Sequence, residues 1–372
     1  MIYKDFKELK LSMLGLGAMR FPLLQNGEID KEQTAEMIDY ALKNGINYFD
    51  TAWFYHDGKS ETVLGELLSK YPRESYFLAS KFPGCDTSTF VKKEEIFEKQ
   101  LEKCKVDYFD FYLFHSVNDS NIDFYLDESL GLTKYLLKQK KAGKIRHLGF
   151  SAHASFPVFK RFLEAYSEHL EFCQLQINYL DWNLQNVKEY LDCLKSYNIP
   201  VWIMEPVRGG GLANPPQAIK KQLEALFPNK PIPSIAFRFL QAIDEATVIL
   251  SGMSNMQQLK DNIETFKTNE PVAPELFKKL TEIGDLLAKG VPCTSCRYCV
   301  KYCPNEIEIP NIINLYNANT YEGKEKISSE ILANIEESKR PTACIECKAC
   351  EGICPQQIKI SQVMKSFCEK LI

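Results

Sequence analysis

The chain has 372 residues, of which 45% are hydrophobic and 25% charged, so it can bury a large core. Its formal net charge of −4 comes without long basic runs, which argues against binding nucleic acid or an anionic membrane surface. No stretch is apolar over the length of a secretion signal or a membrane span. We therefore expect a cytoplasmic protein that acts on small molecules.

In chain order, eight short apolar segments alternate with amphipathic stretches up to about residue 262. The predicted strands are Met13 to Gly17, Ile46 to Thr51, Tyr76 to Lys81, Phe109 to His115, Ile145 to Ser151, Phe172 to Asn178, Pro200 to Glu205 and Thr247 to Gly252. The helical patterns between them include Lys31 to Asn44, Glu61 to Ser69, Lys93 to Cys104, Leu130 to Ala142, Phe156 to Tyr166, Val187 to Tyr197 and Ser234 to Gln241. Eight strand-helix repeats predict an α/β fold that closes as a (β/α)8 TIM barrel.

Polar residues stand where three of these strands end. Asp50 ends the second strand, Lys81 the third and His115 the fourth, and Tyr55 follows in the loop after the second. Catalytic groups of such a barrel lie at the carboxyl ends of the strands. A phenol with an ordinary pKa of about 10 is a poor acid at neutral pH, but a neighbouring ammonium lowers that pKa. These four residues therefore predict an acid-base site.

At these residues the chain resembles the aldo-keto reductases. The matching motifs are Asp50 to Tyr55, Ser60-Glu61, Gly65, Ser80-Lys81, Asp107-Tyr108 through His115, Gly143 to Ser151, and Gln176 to Tyr179. The resemblance implies that Tyr55 is the general acid and base, that Asp50 and Lys81 tune it, and that His115 orients the carbonyl. It also implies reduction of a carbonyl, or oxidation of an alcohol, by hydride transfer from a nicotinamide cofactor.

The same resemblance assigns a set of cofactor contacts. Its members are Ser151 and Gln176 at the nicotinamide and Ser251, Asn255, Gln258 and Asn262 in the adenosine region. The loop after the seventh strand, with Arg208, Gly209 and Gly210, predicts a pyrophosphate site by its own chemistry. The glycines would let the backbone approach a phosphate closely, although a flexible turn is the alternative interpretation of that loop. No lysine or arginine is evident for a 2′-phosphate, so the choice between NADP and NAD stays open.

Thirteen cysteines in a chain without an export signal favour metal ligation over disulfides. Five are scattered, and we expect them to be small buried hydrophobic residues: Cys85, Cys104, Cys173, Cys193 and Cys368. The other eight form two runs of Cys-x2-Cys-x2-Cys-x3-Cys-Pro that start 51 residues apart, namely Cys293, Cys296, Cys299 and Cys303, then Cys344, Cys347, Cys350 and Cys354.

This is the spacing of bacterial two-cluster ferredoxins, in which the fourth cysteine of each run ligates the other cluster. We predict two 4Fe-4S clusters, one on Cys293, Cys296, Cys299 and Cys354, and the other on Cys344, Cys347, Cys350 and Cys303. Zinc is the competing interpretation of a Cys-x2-Cys pair, but two full runs with proline disfavour it.

The chain is thus identified as an aldo-keto reductase relative with a C-terminal ferredoxin module. We expect a barrel over residues 1–285 and a small α+β ferredoxin-like iron-sulfur domain over 286–372. Helical patterning between the cysteine runs covers Ile309 to Asn317 and Ser328 to Glu337, and a closing helix is predicted from Ile360 to Leu371.

Three functions fit these features. The preferred one is a carbonyl reductase or alcohol dehydrogenase whose clusters exchange electrons with an external carrier such as a ferredoxin or flavodoxin. A hydride carries two electrons and each cluster accepts one, so a flavin- or ferredoxin-linked reductase is the second hypothesis. The third is a non-catalytic redox sensor or electron carrier whose barrel only binds a nucleotide.

Overall fold

The computed structural model describes residues 1–321 and 323–372, and these residues form two compact units. The barrel unit contains Met1–Ile177, Lys188–Pro206 and Phe237–Val272, and the cysteine unit contains Asn178–Val187, Val207–Ala236 and Ala273–Ile372. This division differs from the boundary expected near residue 285. Two stretches that follow barrel strands in the chain group with the C-terminal residues instead.

The described residues of the barrel unit form ten strands. They are β1 (Tyr3–Phe6), β2 (Leu9–Ser12), β3 (Leu14–Gly17), β4 (Tyr48–Asp50), β5 (Phe77–Phe82), β6 (Phe109–Val117), β7 (Ile145–Ala152), β8 (Cys173–Gln176), β9 (Val201–Met204) and β10 (Ala246–Ser251). Strands β3 to β10 pair in chain order, and β10 pairs in parallel with β3, which closes the barrel. The predicted eight-stranded barrel is confirmed.

Fifteen α-helices are formed by the described residues. They are α1 (Lys31–Lys43), α2 (Ser60–Leu68), α3 (Lys93–Cys104), α4 (Ile122–Leu126), α5 (Leu132–Lys141), α6 (Phe156–Tyr166), α7 (Asp181–Leu184), α8 (Val187–Ser196), α9 (Gln217–Leu226), α10 (Ile232–Gln241), α11 (Met256–Thr265), α12 (Pro274–Leu287), α13 (Ile309–Tyr321), α14 (Ala349–Gly352) and α15 (Ile360–Lys370). None of the described helices is long and apolar enough to cross a bilayer.

Strands β1 and β2 form an antiparallel hairpin that the strand pattern did not predict. Phe6 of this hairpin lies 5.0 Å from Trp202 and 5.7 Å from Phe111 between ring centroids, and all three side chains are buried in one apolar cluster. The hairpin is only eight residues of strand with a lysine in each half, so its alternation was too short to recognise. It fills one end of the barrel interior with aromatic side chains.

Helices α2 and α3 pack closely enough to shape the site. A Cβ atom on Gly65 of α2 would lie 2.4 Å from the Lys103 carbonyl oxygen of α3, so only glycine permits this approach. The close packing brings Glu61 of α2 next to Gln100 of α3, and both side chains are buried. The pair lies directly behind strand β5, where Lys81 is found.

The cysteine unit has its own core. Buried isoleucines of α13 and of the segment before it pack against Met364 and Phe367 of α15. The segment predicted as a helix from Ser328 to Glu337 is not α-helical; it forms two short 3-10 turns, Ser329–Leu332 and Glu337–Lys339. Among the described residues of this unit there is no strand, and one parallel β-bridge joins Ile327 to Leu371.

Candidate active site and cluster centre

A buried lysine organises the candidate active site of the barrel unit. Lys81 is fully buried, and its ammonium donates to Asp50 Oδ1 at 2.6 Å and to the Thr51 carbonyl at 2.7 Å. The same nitrogen lies 3.5 Å from the Tyr55 hydroxyl. An ammonium has three donors, so these contacts can engage all of them. Neighbouring strands β4 and β5 thus bring together three of the four residues that the sequence predicted.

Burial acts on both members of the ion pair. Desolvation lowers the pKa of Lys81 and raises the pKa of Asp50, because an apolar environment disfavours either charge. Their contact opposes both shifts by stabilising the charged pair. The second oxygen of Asp50, Oδ2, has no hydrogen-bond partner among the described residues. Each charge therefore depends on the other.

His115 completes the group. Its ring lies edge-on to the Tyr55 ring, with 6.2 Å between the centroids. Burial lowers the pKa of His115 well below its usual value, and the charges of Lys81 and His153 act in the same direction. The imidazole is therefore neutral at neutral pH. Its Nδ1 is buried and has no hydrogen-bond partner in the described part of the chain, which leaves it available to a ligand.

The chain around His115 is held by two further contacts. Tyr125 donates a hydrogen bond of 2.6 Å to the His115 carbonyl, and the Ser116 amide donates one of 2.8 Å to Ser151 Oγ. Ser116 has a left-handed backbone (φ 57°) at the point where the pairing of β6 and β7 is irregular. Ser151, predicted at the nicotinamide, therefore also supports the backbone beside His115.

A buried layer behind Lys81 was not predicted as part of the site. Glu61 accepts hydrogen bonds of 2.6 Å from both Ser80 and Gln100, and Gln100 also donates to the Lys81 carbonyl at 3.0 Å. Tyr112 donates to the Gln100 side chain at 2.6 Å. Burial raises the pKa of Glu61. Ser60-Glu61 belonged to the recognised motif, but nothing in the neighbouring sequence indicates that Glu61 contacts α3.

Four of the remaining cofactor candidates of the barrel unit form hydrogen bonds in two pairs. Asn262 donates to Ser251 Oγ at 3.0 Å, and both side chains are buried. Asn255 caps α11 by accepting from the Gln258 amide at 2.9 Å, while the Gln258 side chain accepts from the Ser254 amide at 2.8 Å. This reciprocal cap satisfies two amides at the helix start. Gln176 is buried at the end of β8.

The glycine-rich loop after β9 belongs to the cysteine unit. Arg208 is buried, and its guanidinium pairs with Asp181 instead of standing open to a ligand. The backbone is left-handed at Arg208 (φ 49°), Gly209 (φ 61°) and Gly210 (φ 98°), which glycine adopts without strain and arginine does not. The partner Asp181 was not singled out in the sequence.

The residues of one predicted cysteine set surround a cavity. A single cavity is lined by Cys303, Cys344, Cys347 and Cys350, together with apolar residues such as Ile307 and Met364. Burial and the neighbouring thiols, Cys303 and Cys344 among them, raise the pKa of Cys350 to about 11. Four thiols around one cavity fit a 4Fe-4S cube, whose irons each take one thiolate.

In the other predicted set, Cys299 lies near cysteines of both runs. Burial raises the pKa of Cys299, and the neighbouring thiols of Cys296, Cys293, Cys354 and Cys350 add to that effect. Cys354 thus lies near both Cys293 and Cys299 of the first run, and Cys350 of the second run also lies near Cys299. Among the described residues, no three Cys, His, Asp or Glu side chains are arranged to hold a single metal ion.

The two runs also share an unusual backbone. Six non-glycine residues have left-handed φ values and occur at matching positions of the runs, 51 residues apart (346 − 295, 348 − 297, 357 − 306): Ser295 and Glu346, Arg297 and Lys348, Glu306 and Gln357. The Ser295 amide donates to Cys293 Sγ at 3.3 Å. Such turns direct amides inward, where they can stabilise negative charge.

Comparison with known proteins identifies both regions. Residues 13–285 match the profile of the Aldo/keto reductase family, and residues 292–358 match that of a 4Fe-4S dicluster domain. L-galactose dehydrogenase of Arabidopsis thaliana is 26% identical over 279 residues, which covers 68% of this chain and 84% of that protein. The NADH-specific methylglyoxal reductase of Escherichia coli K12 is 25% identical over 311 residues, covering 70% and 92%.

Solved structures agree on the fold. The holo form of aldo-keto reductase AKR11C1 from Bacillus halodurans has a TM-score of 0.62 at 22% identity, covering 76% of this chain and 96% of that one. An aldo-keto reductase from Klebsiella pneumoniae, in complex with NADPH, has a TM-score of 0.59 at 17% identity, covering 76% and 95%. The chain belongs to the aldo/keto reductase family and carries a 4Fe-4S dicluster domain at its C-terminus.

Proposed function

We propose that this oxidoreductase reduces a carbonyl to an alcohol, or catalyses the reverse reaction, with Tyr55 as general acid and base, and that it exchanges electrons through two 4Fe-4S clusters. The observation that carries the proposal is the Lys81 ammonium, which contacts Asp50 at 2.6 Å and lies 3.5 Å from the Tyr55 hydroxyl inside the barrel. A protein that only binds a nucleotide has no need of this buried group.

In the reductive direction Tyr55 gives its hydroxyl proton to the carbonyl oxygen, and in the oxidative direction it takes the proton back from the alcohol. The Lys81 ammonium stabilises the phenolate that remains after proton donation, and Asp50 holds that ammonium in place. Neutral His115 meets the same substrate oxygen without adding a charge. A bound nicotinamide cofactor would supply or accept the hydride.

We assign the nicotinamide contacts to Ser151 and Gln176, which lie at the ends of neighbouring strands β7 and β8. Ser251, Asn255, Gln258 and Asn262 remain our candidates for the adenosine end. One relative is named an NADH-specific reductase, and one related structure holds NADPH, so both donors belong in the tests. Neither matched profile is that of a flavin-binding family, which leaves the flavin alternative without support.

The eight cysteines of the two runs are the proposed cluster ligands, in the crossed arrangement described above. Clusters of this kind transfer single electrons, so a one-electron carrier such as a ferredoxin or flavodoxin is the expected partner. Cys303 of the first run lines the same cavity as the cysteines of the second run, which supports the crossed assignment of ligands. We keep residues 1–285 and 286–372 as the proposed domains, and the cytoplasm as the expected location.

The decisive experiment compares Tyr55→Phe with the wild type in anaerobic assays of aldehyde reduction, with methylglyoxal among the substrates and NADH and NADPH as donors. Loss of the proton donor should lower kcat by about 10²- to 10⁴-fold. Tyr71→Phe is the matched control, because its hydroxyl contacts Asp39 at 3.3 Å, outside the group around Lys81. Equal turnover by Tyr55→Phe and wild type would remove Tyr55 from the reaction.

A second measurement tests the coupling to the clusters. Cluster-replete protein is titrated anaerobically with NADH or NADPH while the visible absorbance of the clusters is followed. Bleaching by either nucleotide would show an electron path from the barrel site to the clusters. If only dithionite bleaches them, the proposed coupling fails. The sensor hypothesis is rejected by multiple turnovers of an aldehyde.

A further inference from the structure

A buried ion pair of the cysteine unit contacts the segment that leads into the first cysteine run. Arg208 Nε lies 3.1 Å from both carboxylate oxygens of Asp181, and Nη2 lies 3.0 Å from one of them. The same Nη2 donates to the Pro292 carbonyl at 3.2 Å. Pro292 immediately precedes Cys293. The guanidinium thus contacts the peptide unit next to a proposed cluster ligand.

Both charges of the pair are fixed in position. Asp181 is fully buried and also accepts from Asn178 Nδ2 at 2.6 Å and from Gln185 Nε2 at 3.2 Å. Arg208 is 5% exposed and has a left-handed backbone, a conformation that a non-glycine residue keeps only where its surroundings impose it. An arginine side chain stays protonated at any physiological pH. A permanent positive charge is therefore held in a dry part of the unit.

The segment before Cys293 is held from a second side. Asn317 of α13 accepts from the Val291 amide at 2.7 Å and donates to the Val291 carbonyl at 2.9 Å. Hydrogen bonds to Arg208 and Asn317 therefore hold the backbone just before Cys293, which places the guanidinium charge one peptide unit from a proposed cluster ligand.

We propose that Arg208, oriented by Asp181, raises the reduction potential of the cluster bound by Cys293, Cys296, Cys299 and Cys354. Reduction adds one electron to a cluster, and a nearby fixed cation stabilises the added negative charge. In a buried site the attraction is only weakly screened by water and salt. Arg208 acts here as a positioning charge for the cluster.

The proposal rests on the cluster ligands of the proposed function but not on the chemistry of the barrel. Its test therefore uses neither a carbonyl substrate nor a nicotinamide. The full-length, cluster-replete protein is titrated anaerobically with dithionite, and the two clusters are followed by electron paramagnetic resonance. Iron and sulfide are counted for each variant first. A failed Tyr55 experiment would leave this measurement unaffected.

Three variants make the test specific. Arg208→Gln should lower the potential of one cluster by at least a tenfold change in its one-electron equilibrium, which is about 59 mV. Asp181→Asn should raise the potential of the same cluster, because it leaves the guanidinium charge uncompensated. Arg73→Gln is the matched control: Arg73 pairs with buried Asp110 at 2.5 Å in the barrel unit, which holds none of the eight cysteines. It should leave both potentials unchanged.

If Arg208→Gln and Asp181→Asn shift the reduction potential in opposite directions, the effect is one of charge. A merely structural role would shift the potential in the same direction in both variants. Equal shifts of the two clusters, shifts of the same sign in both variants, or no shift would overturn the proposal. If Arg208→Gln loses iron, Arg208→Lys keeps the charge and should hold the potential closer to that of the wild type. In that case the proposal is still rejected if Asp181→Asn does not raise the reduction potential of the cluster.

Discussion

The group around Lys81 and the cysteine centre are built in different ways. In the barrel unit, Asp50 and Lys81 stand on paired strands, and the layer of Glu61 and Gln100 supports them from behind. In the cysteine unit, the proposed ligands lie mostly in irregular segments, and left-handed residues such as Ser295 and Glu346 shape those segments. One site is supported by regular backbone pairing, and the other by irregular backbone around thiols.

This difference predicts different dependence on bound groups. The strands of the barrel can hold Asp50 and Lys81 in place before any cofactor binds. The cysteine unit has a small core, and its thiols converge where a cluster would bind, so folding and cluster binding should be coupled there. Three experiments can break or sharpen this comparison.

The largest effect is expected from Lys81→Met. It leaves the buried Asp50 carboxylate without its partner, which should cost about 3–5 kcal/mol of unfolding free energy. Turnover should fall by about 10²- to 10⁴-fold, because Tyr55 loses the neighbouring ammonium. Chemical denaturation and steady-state kinetics measure the two effects separately.

The double variant Asp50→Leu/Lys81→Met separates stability from function. An apolar pair of similar volume should restore most of the stability, while turnover stays low. Lys43→Met is the surface control, since Lys43 pairs with Asp39 at 2.6 Å in an exposed part of α1. It should leave turnover unchanged. If the double variant is as unstable as Lys81→Met, an apolar pair cannot replace the ion pair in stabilising the barrel.

An intermediate effect is expected from Cys354→Ser, which tests the crossed ligation. The variant should lose one of the two clusters, so that iron falls from about eight to about four atoms per chain. The lost resonance signal should be the one that Cys296→Ser also loses, and Cys347→Ser should lose the other. Cys368→Ser, on α15, should keep both clusters. If Cys354→Ser and Cys347→Ser lose the same resonance signal, the crossed arrangement of ligands is contradicted.

The smallest effect is expected from the pH dependence of barrel stability. The pKa of His115 lies well below 6.5 in the folded protein, so the unfolded chain binds a proton that the folded chain does not. Stability should therefore decrease as the pH falls below about 6.5 and until it reaches the lowered folded pKa. For one proton the slope approaches about 1.4 kcal/mol per pH unit.

The variant His115→Phe removes this titratable side chain while keeping an aromatic ring. Denaturant unfolding of the barrel between about pH 5 and pH 7 should then show a smaller slope than the wild type shows. His169→Phe, in a partly exposed turn after α6, should keep the wild-type slope. Equal slopes for His115→Phe and the wild type would mean that His115 protonates normally in the folded state.

The features predicted from the sequence are those that neighbouring residues encode. The barrel strands are continuous apolar runs, and Asp50, Lys81 and His115 stand at their ends, so the closed barrel and its group of polar residues were both predictable. The α-helix expected from Ser328 to Glu337 was wrong, because apolar spacing did not reveal that this segment turns twice.

What escaped prediction depends on contacts between distant residues. Arg208 meets Asp181 and Pro292, which are 27 and 84 positions away, and Glu61 meets Gln100 at a separation of 39. No periodic pattern encodes such pairs. A glycine-rich loop with one arginine therefore suggested a phosphate site, although the guanidinium is already paired within the cysteine unit.

The aromatic end of the barrel bears on how the chain is made. The hairpin of β1 and β2 precedes every strand of the barrel in the chain and can close on itself, yet the ring partners of Phe6 include Phe111 and, much later, Trp202. During translation, Phe6 therefore cannot complete these contacts until the chain has been made as far as Trp202, 196 residues later (202 − 6). The hairpin thus precedes the barrel strands in synthesis but completes its packing after most of them, which gives a chaperone time to bind its apolar ring.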